Sequence, residues 1–268
     1  MPKKKNFCNK YLTIIISEPC CLDIMNKISI QDDQYENTNN HMNNILSSEY
    51  LELTAKKIYE EQNKELIGQI LQPIKDKMVE DSSKLYTDIM VFACGVMGGG
   101  SRIKDSKNYT ELLHKGTIII ENIADNKQEP AMMINTAQLM YNLPHALIKR
   151  SALDKKTMLK MHETIAEEMI RFHLGAAMQR IINKSAQDIE ENQYLEICSL
   201  KTGSIARIAA RLGCLFGTPT IKQHNKMVSY AESLGIVAQI QKDVREMPDG
   251  YAAHHLDTLS KKNKKTCR

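Results

Sequence analysis

The chain has no tryptophan and only four phenylalanines, and its 268 residues include just 12 glycines and 7 prolines. So few helix breakers, beside 15 methionines and abundant Leu, Ile, Ala, Lys and Glu, argue against a turn-rich sheet and for long helices. No apolar run approaches the roughly 18 residues that cross a bilayer, which excludes a transmembrane segment. Neither sign of charge dominates. With 36 Lys and Arg interleaved among 32 Asp and Glu, the net charge of +4 is too mild to call for a nucleic-acid partner. The seven cysteines are odd in number and contain no CxxC pair, so they make neither a disulfide framework nor a zinc site. They fit a reduced, cytoplasmic setting. Lys3-Lys4-Lys5 followed by Leu12 to Ile16 is too short an apolar stretch for a signal peptide, and Glu18 interrupts it.

What is present is a helical pattern. Residues 1–45 are polar and aperiodic, with Gln31-Asp32-Asp33-Gln34 and Asn37-Thr38-Asn39-Asn40, and read as a flexible leader. Residues 46–250 are expected to form one all-α domain, and 251–268 a basic polar tail. Leu51, Leu53, Ile58, Leu66, Ile67, Ile70 and Leu71 recur at helical intervals as far as Pro73. Further helices are expected from Lys84 to Met97, stopping at Gly98-Gly99-Gly100, and from Tyr109 to Asn126. Another should run from Met132 to Leu147 with an interruption near Pro144, followed by helices over 153–182, 189–216 and 227–244. In the longest of these, Met158, Met161, Ile165, Met169 and Phe172 fall at steps of three and four and read as core. The expected architecture is a bundle of about eight or more helices sharing one apolar interior.

Four stretches carry chemistry. In His114 to Asn126 the apolar run Ile118-Ile119-Ile120 leads into Glu121 and Asp125, four residues apart and therefore on one helix face. Paired carboxylates of this kind suit Mg²⁺, which is usually held by one or two acids plus substrate phosphates, although such a pair is more often a solvated face. The other three are Ser82-Ser83-Lys84 before an apolar helix, Lys201-Thr202-Gly203 inside another, and Gln239-Ile240-Gln241-Lys242-Asp243-Val244-Arg245-Glu246 at the end of the last. Each has an ordinary explanation when taken alone: a solvated lysine, a local cap, an exposed ion pair.

In this order, the four stretches resemble the trans-isoprenyl diphosphate synthases, the polyprenyl synthetase family, and in particular its farnesyl and geranylgeranyl diphosphate synthases. Lys84 stands at the lysine of that family's GGKxxR, and His114 seven residues ahead of the first acidic motif, Glu121-Asn122-Ile123-Ala124-Asp125. Lys201-Thr202-Gly203 is its KTG segment, and Gln239 to Glu246 its QIxDDxxD; the likeness runs from about Leu66 to Met247. The resemblance implies an isoprenoid synthase-type helical bundle around a central cavity, and a Mg²⁺-dependent condensation of isopentenyl diphosphate with an allylic diphosphate. It assigns catalytic roles to Lys201, Thr202 and Gln239 and substrate contacts to Lys84, His114, Lys201 and Lys242. Metal ligation would fall to Glu121, Asp125 and Asp243. A homodimer, or a heteromer with another synthase, is the implied assembly.

The departures from the family pattern are specific. Asn122 replaces an acid in the first motif, and Lys242 replaces the acid that opens the second. Thr87 stands where the family has the arginine of GGKxxR, the arginine pair after the first motif is absent, and Ala176 and Gln179 replace the Gln and Asp of GQxxD. A protonated lysine cannot ligate magnesium, but it can touch a diphosphate directly. These changes open two alternatives to a working synthase. One is a catalytically impaired member that regulates an active partner. The other is an enzyme that ionises an allylic diphosphate without isopentenyl diphosphate, as a terpene cyclase or peptide prenyltransferase would.

Overall fold

The computed structural model describes residues 72–74, 84–100, 107–124, 130–151, 153–185 and 189–246. The expected leader, the expected tail and Asp125 lie outside the described residues. The longer elements are all helical: α1 (Leu85–Val96), α2 (Lys107–Ala124), α3 (Pro130–Arg150), α4 (Lys155–Ser185), α5 (Glu191–Cys198), α6 (Ser204–Leu215) and α7 (Ile221–Glu246). A π-helical turn, Ser199–Gly203, joins α5 to α6 without breaking the helical run. Among the described residues there is no strand, and the fold is all-α.

The most enclosed element is α6. Ile205, Ala206, Ile208, Ala209, Ala210 and Leu212 are buried on it, while Ser204, Arg207 and Arg211 form its one polar stripe. It lies against α1, α4 and α7, while α2 pairs with α3. The methionine stripe of α4 is inward: Met161, Ile165, Met169 and Phe172 join the same core, and Met158 packs against it.

Local chemistry sets the helix ends. α1 stops where Gly98 and Gly100 take left-handed backbone, with φ of 76° and 60°. The amides of Lys156 and Thr157 donate to Asp154 Oδ1, which caps α4. α7 begins at Ile221, six residues earlier than the apolar periodicity indicates, because Thr220 and Gln223 cap it reciprocally: Thr220 N donates to Gln223 Oε1 and Gln223 N to Thr220 Oγ1. The interruption expected near Pro144 does not occur, and α3 runs through it. Pro144 is buried between Leu143 and the half-buried His145, so packing of this helix outweighs the backbone hydrogen bond that a proline removes.

A close approach brings α7 onto the π turn. A Cβ at Gly235 would lie 2.6 Å from the Thr202 carbonyl oxygen and 2.9 Å from Gly203 Cα. Gly235→Val is therefore expected to force α7 off the turn and to lower unfolding stability by about 1–3 kcal/mol, measured by urea denaturation.

Candidate functional site

The two sequence stretches that carry the acidic motifs meet. Glu121, on the last turn of α2, accepts an ion pair from Lys201 Nζ at 2.8 Å through Oε1 and from Lys242 Nζ at 2.8 Å through Oε2. Lys201 comes from the π turn and Lys242 from the last turns of α7, so three elements converge on one carboxylate. Single-turn π segments occur often at functional sites because they redirect a side chain that a regular helix would hold elsewhere. Here the hydroxyls of Thr202 and Ser204 donate back to the carbonyls of Cys198 and Leu200, which gives the widened turn its own hydrogen bonds. Lys201 is nearly fully buried, and its ammonium also donates to Gln179 Oε1 at 2.6 Å.

Asp243 is held differently. Tyr194 Oη donates to its Oδ2 and Gln239 Nε2 to its Oδ1, both at 2.7 Å. Each oxygen of Glu121 and Asp243 thus already accepts from a protein donor. Among the described residues no cluster of three His, Cys, Asp or Glu side chains has the arrangement to hold a metal ion. Thr202 shapes the π turn and Gln239 braces Asp243. Lys84 is exposed at the start of α1, two residues ahead of Tyr86, whose ring meets His114 edge-on with centroids 4.5 Å apart. The described part of the site therefore brings together Glu121, Lys201, Lys242 and, through electrostatics, His114.

Burial raises the Glu121 carboxyl, but the charges of Lys201 and Lys242 outweigh it and bring the group down to about 2. His114 moves the other way from its usual range. Burial lowers it to about 4, against an upward pull from Glu121, with Lys242 and Lys115 adding to the decrease. At neutral pH its imidazole is uncharged and able to donate one hydrogen bond. Burial and the charge on Glu121 raise the Tyr86 and Tyr141 hydroxyls, and burial and Asp243 raise that of Tyr194. All three stay protonated donors. The Tyr141 hydroxyl and Gln239 Oε1 are buried without a hydrogen-bond partner among the described residues.

His114 has a folded value below its unfolded one, so its stabilisation is present above about pH 6.5 and is lost as pH falls towards 4. Glu121 loses its contribution lower down, between its unfolded value near 4.5 and its folded value near 2. Between pH 7 and pH 5 the wild-type chain is expected to lose about 1 kcal/mol more stability than His114→Gln, allowing for partial solvent screening. Urea midpoints at the two pH values measure the difference.

A network missed in the sequence fixes the π turn from behind. Glu168, 1% exposed, accepts from Arg207 Nε at 2.8 Å, Arg171 Nη1 at 2.7 Å and Arg211 Nη1 at 3.0 Å. Arg207 also pairs with Glu232 at 2.9 Å and donates to the Ser199 carbonyl and the Ser204 hydroxyl, at the two ends of the turn. Arg211 pairs with Glu167 at 2.9 Å. The only sequence sign of it is a pair of arginines, Arg207 and Arg211, placed four apart on an otherwise apolar helix.

The all-α fold is of the isoprenoid synthase type. A solved geranylgeranyl pyrophosphate synthetase from Pyrococcus horikoshii superposes with a TM-score of 0.66 at 15% identity, covering 85% of this chain and 67% of that one. The sequence profile of the polyprenyl synthetase family matches residues 68–253, and the chain belongs to that family. Its relatives include geranylgeranyl pyrophosphate synthase 2 of Zymoseptoria tritici, 29% identical over 157 residues, or 54% of this chain and 45% of that protein. A geranylgeranyl pyrophosphate synthase of Penicillium canescens is 30% identical over 53% of this chain and 43% of its own length. The short chain isoprenyl diphosphate synthase of Methanocaldococcus jannaschii is 26% identical over 51% and 45%. The aligned segment spans less than half of each of these three relatives. No described helix is long and apolar enough to cross a membrane.

Proposed function

We propose that the chain binds the diphosphate of an allylic isoprenoid at Glu121, Lys201 and Lys242, and acts as a prenyltransferase that joins the allylic unit to isopentenyl diphosphate. The observation that supports this most is the convergence of two lysines from separate elements on the carboxylate of the first motif. In the reaction, the bond between the allylic carbon and the diphosphate oxygen breaks, and its electron pair leaves with the diphosphate. The double bond of isopentenyl diphosphate attacks the allylic cation to form the new carbon–carbon bond, and a proton passes to the released diphosphate. Lys201 and Lys242 stand where that leaving group gathers negative charge. Lys84 and neutral His114 serve isopentenyl diphosphate, and Thr202 and Gln239 are positioning residues.

Magnesium, which the family resemblance calls for, finds a poor donor set in the described residues, since every oxygen of Glu121 and Asp243 is engaged by a protein donor. A cytoplasmic setting belongs to the same reading. The test is incubation with labelled isopentenyl diphosphate and an allylic primer, with binding followed in parallel. Prenyl product is expected, and a folded protein that neither binds nor converts these compounds would remove the proposal.

A second reading, a regulatory subunit for an active synthase, draws on the outer face of α4. Leu159, Ile170, Leu174 and Ile181 are exposed there and lie on one side of the helix, offering an apolar seam to a partner or to a second copy. Copurification with a catalytic synthase, and a shifted product chain length on mixing, would favour it. Product made by the chain alone would dismiss it.

A further inference from the structure

Lys242 stands where the family pattern has an acid, and its ammonium lies 2.8 Å from the first-motif carboxylate. A family site of two facing acidic motifs repels itself and needs divalent cations to hold the motifs together and to accept diphosphate oxygens. In this chain the protein supplies that positive charge. Lys201 and Lys242 outnumber Glu121 and leave one net positive charge among the three. The neighbouring acid, Asp243, keeps its charge and balances the four groups to zero, but both its oxygens are already engaged by Tyr194 and Gln239. His114 is uncharged at neutral pH and adds nothing to the balance. A divalent ion seeking Glu121 would have to displace an ammonium from it, whereas a diphosphate would be drawn to the two ammonium groups.

The two lysines are also unequal in a useful way. Lys201 has only 5% of its side chain exposed and is seated by Gln179, while Lys242 has 40% exposed and hangs on a flexible four-carbon stem. Lys201 is thus a fixed charge, and Lys242 an arm that can leave Glu121 for an incoming anion.

We propose that this site grips a diphosphate directly through the ammonium groups of Lys201 and Lys242, the latter taking the bridging place of a metal ion, so that diphosphate binding here does not require a divalent cation. The inference rests on the diphosphate reading above and adds the mode of recognition. Its test is calorimetric titration of the full chain with inorganic diphosphate, once with EDTA and once with Mg²⁺. Wild type is expected to bind in EDTA with an affinity within about threefold of that in Mg²⁺. Lys242→Asp should lose about tenfold to hundredfold in EDTA and regain binding when Mg²⁺ is added, because the new carboxylate restores an acidic site. Lys242→Gln should lose a similar amount under both conditions. Lys222→Gln, at the exposed start of α7, should bind like wild type and controls for general charge attraction; thermal melts confirm that each variant is folded.

Wild-type binding that disappears in EDTA and appears with Mg²⁺ would overturn this inference and leave the diphosphate site standing. Absence of binding under both conditions would overturn the two together. Equal losses in Lys222→Gln and Lys242→Gln would show a diffuse surface attraction and refute the assigned grip.

Discussion

Glu168→Gln is expected to lower the unfolding free energy by about 3 kcal/mol and the melting temperature by roughly 6–12 °C. The size follows from where the three arginines sit. Arg171 has 49% of its side chain exposed and loses little when its partner becomes neutral. Arg211 is 22% exposed and keeps Glu167. Arg207, at 8%, is the group left in the interior with its charge only half balanced, and its remaining partner, Glu232, keeps the loss at the lower end of the range for broken buried pairs. Arg171→Ala should accordingly cost under about 1 kcal/mol. Glu168→Leu combined with Arg207→Met should be less damaging than Glu168→Gln, because it removes the charges together and leaves apolar volume in a buried site. A loss below about 1 kcal/mol for Glu168→Gln would mean that water, rather than carboxylate, satisfies the arginines. Since Arg207 also holds Ser199 and Ser204, the same substitution should loosen the turn that carries Lys201 and weaken diphosphate binding.

This network illustrates which features a single sequence displays and which it conceals. The all-α fold is legible because it depends on periodicities within each helix, and the Met161–Ile165–Met169–Phe172 stripe lies inside as its spacing requires. The caps at Asp154 and Thr220 are local signals of the same kind. Pro144 misleads because its local penalty competes with the burial of a whole helix, a quantity no window of sequence contains. The site is legible to the extent that residue order allows: three of the four motifs name Glu121, Lys201 and Lys242, yet their contacts join positions as far as 121 residues apart. Lys242 shows the limit clearly. Its replacement of an acid is plain in the sequence, but its pairing with Glu121 depends on Gly235 bringing α7 against the π turn. Tyr86, Tyr141 and Tyr194 give no sign of their surroundings, since an aromatic residue at helical spacing reads as core whether or not its hydroxyl faces a charge.

Lys201→Ala and Lys242→Ala are expected to separate stability from binding. Both ammonium groups lie 2.8 Å from Glu121, so distance alone would make the two ion pairs equal. Burial makes them different. With 5% of its side chain exposed, Lys201 has given up its hydration, and its removal leaves Glu121 and Gln179 facing an unfilled space; a loss of about 2–3 kcal/mol is expected. Lys242, at 40%, remains largely hydrated, and screening limits its loss to under about 1 kcal/mol. For binding the order changes. Each lysine contributes a charge-assisted contact to diphosphate, so each variant should lose about tenfold to hundredfold in affinity, although only one of them melts substantially earlier. A double-mutant cycle with Glu121→Gln refines the comparison: the coupling energy should be larger for Lys201 than for Lys242 by about 1 kcal/mol or more. Equal couplings would show that solvent reaches both pairs alike, and the distinction between a fixed charge and a moving arm would then fail.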